Sequence, residues 1–393
     1  MRKMSNLPLS GLRVLDFSWI IAGPTAARHL ALMGAEVIKI GSSRRPDPSA
    51  GGAPFQVYNQ SKKYCALNLS TSEGLDIAKE LVSTSDVVIE NFAAGVFERI
   101  GLNYETLKNL RPDVIMVSSA GTGHTGPDKD YVAYGSLLQH YTGWNTISGY
   151  GDGEPIKGGL WADPWVGMEL AMVTVAAINY RMHTGKGQYI DFSMAESLTA
   201  SIPSALLEYQ MTNSLPVPRG NEDPINSPHG VYKCQGDDEW IAISIQNATQ
   251  WENLCGTIGK EEMSLDTRFS SSEKRRSHSS EIDTVITAFT SELSAHRAME
   301  ILQDNGIPAG PSINVAQVYE DPHTIGSGYL TPQTYPNGVT RLMPGMPWTS
   351  NIENSIHLEA APEIGDSNLR IYKELLGISP EDYQTYTENQ IIY

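Results

Sequence analysis

The sequence is short of several features, and each shortage excludes a class of protein. Cys65, Cys234 and Cys255 are the only three cysteines in 393 residues, and none forms a CxxC pair. A disulfide framework is therefore not expected, and a reducing compartment, the cytoplasm by default, is favoured. Positive charge is scarce: 28 Lys and Arg against 45 Asp and Glu give a formal net charge of -17. That argues against nucleic acid as a partner, since phosphate binding needs a basic face. An anionic small molecule stays open, because Arg44-Arg45 and Lys62-Lys63 oppose the global sign locally. No run approaches the roughly 18 apolar residues of a membrane span, and the first residues lack the apolar stretch of a signal peptide. Neither membrane insertion nor secretion is expected. The nine histidines are scattered without ligand spacing, so no metal is expected.

What is present reads as an α/β protein. Hydrophobic residues at 40% and charged residues at 19% fit a globular chain with sizeable cores, long enough for two or three domains. LRVLDF (12–17) alternates as a strand, AGP (22–24) breaks it, and Pro24 suits a first helical position. The helix then runs to Gly34, and AEVIKI is the next strand. The AGP turn lacks the G-x-G-x-x-G spacing of a dinucleotide site. Residues 41–61 form a long Gly/Ser/Pro-rich loop of the kind that is more often functional than idle. YCALNL, DVVIENF and VIMVSSAG are further strands, and Ser70 or Thr71 caps the helix after the first of them. This run of βαβ units predicts an open parallel sheet covered by helices. Composition divides the chain into a large domain (1–210), a linker (211–228), a smaller α+β domain (229–320), a returning linker (321–352) and C-terminal helices (353–393) that pack back on the large domain.

The chemistry centres on GGLWADPWVGM, residues 158–168. Asp163 precedes Pro164 and, on local sequence alone, reads first as the cap of a helix. Its other reading is a nucleophile, and the positive end of a helix dipole would keep it ionised for that task.

Six segments in order bear on that choice: LSGLRVLDFSWIIAGPTAARHLALMGAEVIKI, NQSKKYCALNLSTSEG, DVVIENFAAGVFERIGL, GTGHTGP, TGKGQYIDFSMAES and GIPAGPSINVAQVYEDPH. Together they resemble the class III CoA-transferase (CaiB/BaiF) family, whose members include formyl-CoA transferase, carnitine CoA-transferases and α-methylacyl-CoA racemase. The resemblance implies a large Rossmann-like domain and a smaller one in an interlocked, ring-like dimer, either of identical chains or with a paralogous chain. It implies a CoA thioester and a free carboxylic acid as substrates, with no tightly bound cofactor.

By the same resemblance, Asp163 falls on the catalytic aspartate and Arg99 on an arginine that contacts CoA phosphate. Asn91 and Phe92 fall on adenine and pantetheine contacts, and Tyr134 on a tyrosine beside the thioester. Ile20, Ile21, Leu67, Ser70, Ala93, Ile100 and Met194 fall on or near further cofactor-lining positions. The chain departs from the pattern after VIKI, where Gly41 and Ser42 stand in place of Glu and a basic residue. Ser42 and Arg44, or Arg45, are expected to serve there instead. Gly135 replaces the glutamate of the oxalate-using branch, which argues for an acceptor larger than oxalate, such as a branched, aromatic or substituted succinic acid.

The resemblance implies that Asp163 carries acyl-anhydride and CoA-thioester intermediates, with succinyl-CoA a reasonable donor. Backbone N–H groups of Gly158, Gly159 or the 121–127 glycine loop are the expected oxyanion donors. Trp161 and Trp165 either exclude water or pack in a core or dimer interface. Trp19 and Trp144 are expected to join them near the site. His124, in the glycine loop, is expected to face solvent, with a phosphate contact as the other reading. The rival activity in the same fold is racemisation of a 2-methylacyl-CoA. It ranks lower because, by the same resemblance, Tyr134 stands where the racemase branch has a histidine, and a phenol is a poor base near neutral pH. Another rival is a subunit of a heteromeric transferase.

Overall fold

A computed structural model describes residues 7–151, 154, 159–335, 338–351 and 358–393. Six strands form one parallel sheet: β1 (Arg13–Asp16), β2 (Glu36–Gly41), β3 (Lys63–Ala66), β4 (Val87–Glu90), β5 (Ile115–Ala120) and β6 (Gln188–Ser193). Their order, β3-β2-β1-β4-β5-β6, reverses direction of winding between β1 and β4. Crevices that bind ligands open at that switch point, beyond the carboxyl ends of the strands.

The two-residue period of the strands splits the apolar residues between two cores. Val14, Val37, Ile89 and Val117 face one core, with the helices Ala22–Leu32 and Ala162–Thr184. Leu15, Ile38, Val88 and Met116 face the other, with the helix Ser72–Ser83 and the C-terminal residues Ile371, Tyr372 and Ile392. Each such side chain, fully removed from water, contributes about 1.5–3 kcal/mol.

Local chemistry sets the helix ends. Thr71 Oγ1 accepts from Gly74 N–H, so Thr71 rather than Ser70 is the cap. The helix Ala22–Leu32 begins two residues ahead of Pro24, whose missing N–H still falls in the first turn, where no intrahelical acceptor is available. The loop expected over 41–61 holds a short helix, Ala53–Tyr58. The helix Ala162–Thr184 runs 23 residues and ends at Gly185, in the left-handed conformation at φ 69°.

The chain divides into two compact units. Unit 1 takes residues 1–145, 157–215 and 328–393, and unit 2 takes 146–156 and 216–327. Thus 146–156 and 321–327 cluster with the second unit, not with the first domain and the returning linker. Unit 1 also holds the antiparallel pair Leu330–Thr334 and Thr340–Pro344. Unit 2 is a three-stranded antiparallel sheet, His229–Lys233, Trp240–Ser244 and Ala309–Ser312, with helices over a core that includes Tyr232, Ile243, Trp251 and Phe269. No described helix is long and apolar enough to cross a membrane.

Candidate active site

Every candidate residue lies in unit 1. The turn Ser18–Ile21 leaves β1 at the switch point, and Asn91 follows β4 beside it. Asn91 uses its whole amide on the turn: Oδ1 accepts from Trp19 N–H at 2.8 Å and Nδ2 donates to the Trp19 carbonyl at 2.9 Å. The side chain expected to line the cofactor is thus a clamp on the loop. Phe92 meets the Trp19 ring edge-on at 5.3 Å and stacks on Phe97 at 6.2 Å. Arg45 lies over Trp19, 5.4 Å from the ring centroid. Arg44 turns away, to the Gln390 side chain and the Tyr393 ring. Of the two arginines it is Arg45 that reaches the crevice.

The remaining candidates sort by exposure. Arg99 and Ala93 are exposed beside the crevice, and Ile20 and Ile100 are half-buried. Ser42 Oγ accepts from the N–H groups of Arg44 and Arg45, and Ser70 Oγ donates to Asn68 Oδ1. Ile21, Leu67 and Met194 are packed inside, so their side chains offer no open lining surface, contrary to expectation. Gly41 is explained by a neighbour: a Cβ there would come within 2.3 Å of the Tyr64 hydroxyl. Asn368 accepts from Ala66 N–H at 2.9 Å and donates to the Tyr393 carbonyl at 2.6 Å, tying the tail to β3.

Asp163 lies in the first turn of Ala162–Thr184 and is not its cap, because the helix begins at Ala162 and Trp161 caps it without a side-chain bond. Its carboxylate accepts from Gly135 N–H. A Cβ on Gly135 would fall 2.3 Å from Asp163 Oδ1 and 2.9 Å from Cγ, so no side chain fits there without displacing the carboxylate. One turn on, Gly167 lets the helix meet Ala22–Leu32 closely: a Cβ there would come within 2.6 Å of the Ala22 carbonyl and 2.5 Å of Thr25 Cβ. This contact sets Asp163 beside the helix that leaves the crevice.

Burial raises the Asp163 pKa above its ordinary value, and the Gly135 N–H opposes the shift. The dipole expected to hold it low does not prevail. Tyr58 is within electrostatic reach: burial raises its phenol, Arg28 opposes this, and Asp163 adds to it. Neither Gly135 as a donor nor Tyr58 as a neighbour has a local sequence signal.

The four tryptophans do not gather. Trp161 packs on Trp144 at 4.6 Å, Trp144 Nε1 donates to Ser201 Oγ, Trp19 belongs to the crevice, and Trp165 is exposed. Gly158 lies outside the described residues, and the Gly159 carbonyl accepts from Gln139 Nε2 at 2.8 Å. His124 overturns its expectation. Its side chain is only 8% exposed, with Nε2 3.6 Å from Glu90 Oε1, and its N–H donates to Asp191 at 2.8 Å. Burial pushes Glu90 up to about 7, against the Phe92 N–H that donates to it.

A doubly wound sheet whose winding reverses between β1 and β4, with a half-buried carboxylate in the first turn of the helix Ala162–Thr184, defines an α/β protein of the ligand-binding type. Residues 9–368 match the model of CoA-transferase family III, and the chain belongs to that family. It is 29% identical to the succinate–glutarate CoA-transferase of Agrobacterium fabrum, over 94% of this chain and 96% of that one. It is also 29% identical to the succinyl-CoA–D-citramalate CoA-transferase of Chloroflexus aurantiacus, over 98% of each. The crystal structure of a CaiB/BaiF family protein from Brucella suis superposes with a TM-score of 0.85 at 29% identity, covering 94% of this chain and all of that one. The chain is a class III CoA-transferase, which moves CoA from an acyl-CoA donor to an acid.

Proposed function

We propose that Asp163 is the covalent nucleophile of this transfer, with succinyl-CoA as donor and a dicarboxylic acid larger than oxalate as acceptor. The observation that carries the reading is the half-buried Asp163 carboxylate at the start of its helix, receiving the Gly135 N–H. An Asp163 oxygen attacks the donor's acyl carbon and the C–S bond breaks, giving a mixed anhydride and CoA thiolate. The thiolate attacks Asp163 Cγ, releases the donor acid and leaves an aspartyl-CoA thioester. The acceptor carboxylate attacks the same carbon and expels thiolate. Thiolate then attacks the acceptor's acyl carbon and frees Asp163. No net proton or electron is consumed. In the second and third steps the oxyanion forms on Asp163's own oxygen, where Gly135 N–H already donates.

The Trp19–Phe92 crevice is the proposed place of CoA, with Arg99 and Arg45 opposite its phosphates. The donor and acceptor are supported by the relatives, named for succinate, glutarate and D-citramalate. The enzyme is proposed to work in the cytoplasm, as an interlocked dimer of two copies or with a paralogous chain. An apolar stripe supports this assembly: Trp165, Met168, Met172 and Tyr180 are exposed along one helix, and the helix Pro203–Thr212 buries none of its residues. Sedimentation at micromolar concentration tests it, and a monomer that retains activity would exclude it.

Mass spectrometry of CoA esters formed from succinyl-CoA and a panel of acids identifies the acceptor. Hydroxylamine added during turnover should mark the peptide carrying Asp163. Asp163→Asn should lower turnover by about a thousand-fold or more. An unmarked peptide together with an active Asn variant would sink the covalent scheme.

A further inference from the structure

The turn that carries Ile20 is held in a conformation that its sequence disfavours. Ile20 has φ 67°, in the left-handed region, where a β-branched residue is an outlier. Such a residue persists only where its surroundings over-determine it, and these positions cluster at ligand sites.

Here the surroundings do so group by group. Ser18 N–H donates to Asp16 Oδ1 at 2.9 Å. Lys39 Nζ donates to the Ser18 carbonyl at 2.6 Å. Asn91 takes both polar groups of Trp19. Ile20 N–H donates to the Asp47 carboxylate, 3.1 Å from Oδ1 and 3.2 Å from Oδ2. Consecutive backbone groups are thus each taken by a side chain, and those side chains come from β1, β2, the end of β4 and the loop after β2.

Asp47 stands out in this set. It is 2% exposed, Lys39 Nζ lies 3.4 Å from its Oδ2, and Ser49 donates to Oδ1 from both N–H (2.9 Å) and Oγ (2.7 Å). Behind it Lys62 pairs with Asp16 at 2.8 Å and donates to the Pro24 carbonyl at 2.9 Å, so the buried carboxylates and ammonium groups are matched. Burial pushes Lys62 down to about 8, against the pull of Asp16. Burial raises Asp16, but Lys62 and Lys39 outweigh it and the net shift is downward. Asp47 also belongs to the loop that carries Ser42 and Arg45. One carboxylate therefore joins the phosphate side of the crevice to the left-handed turn on which Trp19 and Ile20 stand.

We infer that Asp47 is a positioning residue for the CoA thioester: it holds Ile20 left-handed and so sets where Trp19 and Ile20 meet the bound CoA. The inference rests on the reading of the crevice as the CoA site. Asp163 takes its backbone donor from Gly135, outside the turn that Asp47 holds, so the main effect of Asp47 falls on binding rather than on the chemical steps.

The test is a double-mutant comparison in the full-length enzyme. Free CoA binding is measured by calorimetry, kcat and KM for succinyl-CoA by turnover, and folding by thermal melts. Asp47→Ala should raise the CoA Kd and the KM by about ten-fold or more with kcat little changed, as expected for a lost hydrogen bond to a charged group. Glycine adopts the left-handed region without strain. In an Ile20→Gly background, Asp47→Ala should therefore weaken binding by much less than it does beside Ile20. Asp47→Asn, which keeps the volume but offers donors where only acceptors fit, should act like Asp47→Ala and covers the case in which the alanine variant does not fold.

Equal effects in the wild-type and Ile20→Gly backgrounds would overturn the inference, as would a fall in kcat at unchanged KM. Trp19→Ala separates the two readings. If it weakens CoA binding and the Asp47 variants do not, only the positioning role falls. If neither changes the Kd, the crevice is not the CoA site, and both fall.

Discussion

The two ends of the site are built by opposite means. At the crevice, side chains grip backbone: Asn91 on Trp19, Lys39 on Ser18 and Asp47 on Ile20. At Asp163 the determining residues have no side chains: Gly135 makes room for the carboxylate and donates to it, and Gly167 lets two helices touch. Truncating a polar side chain should therefore damage the crevice, and adding even a methyl group should damage the catalytic end. The kinetic signatures should differ in the same way, with KM moving at one end and kcat at the other.

Gly135→Ala gives the strongest test of this contrast. Its Cβ cannot share space with Asp163 Oδ1, so kcat should fall by about a hundred-fold or more, while CoA binding stays near the wild-type value. The same variant should move the acid limb of kcat/KM. Asp163 must be ionised to attack, and its pKa is already raised by burial. Displacing the Gly135 N–H removes a donor that favours the carboxylate, so the limb should shift to higher pH still. Unchanged kcat would place the nucleophile elsewhere.

Asn91→Ala should do the reverse. It frees both backbone groups of Trp19, so KM for the acyl-CoA should rise by about ten-fold, with kcat within a few-fold of wild type. A large fall in kcat would mean that the two ends are not independent.

The smallest effect is expected at Glu90, whose carboxylate accepts from the Phe92 backbone N–H behind the crevice. Its folded pKa of about 7 lies above the ordinary 4.5, so the folded state binds more protons than the unfolded one between those values. Stability is therefore lost as pH rises through that window, and Glu90→Gln removes the loss. The melting temperature of the variant relative to wild type should be higher at pH 8 than at pH 5, by roughly 2 °C. A difference independent of pH would show that Glu90 does not titrate there in the native protein.

Much of the fold was legible in the chain. The strands from β1 to β5 and the helices between them follow from hydrophobic period and turn residues, and the long helix after Asp163 follows from its apolar run. Which of the neighbours Val14-Leu15 and Val37-Ile38 faces which core was not legible, because all four are apolar, and the structure divides them between the two cores. The candidate site was legible only in part. Asn91 and Phe92 do lie at the crevice, yet the Asn91 amide is spent on Trp19. Arg45 replaces Arg44 at the crevice, and Leu67 and Met194 are enclosed. His124 shows the limit of local reading. A glycine-flanked histidine reads as exposed, but the end of β5 carries its loop over Glu90.

Local sequence determined which stretches became strands and helices, because period, capping and chain breaks act over a few residues. Family-like segments determined the reaction class. Strand order decided what met what, because residues distant in the chain become neighbours only where the sheet reverses its winding. That is why Asp47 holds Ile20 and Asn91 holds Trp19. Close helix approach decided the rest: Asp163 stands where Gly135 and Gly167 let it, a fit between surfaces that no window of sequence contains.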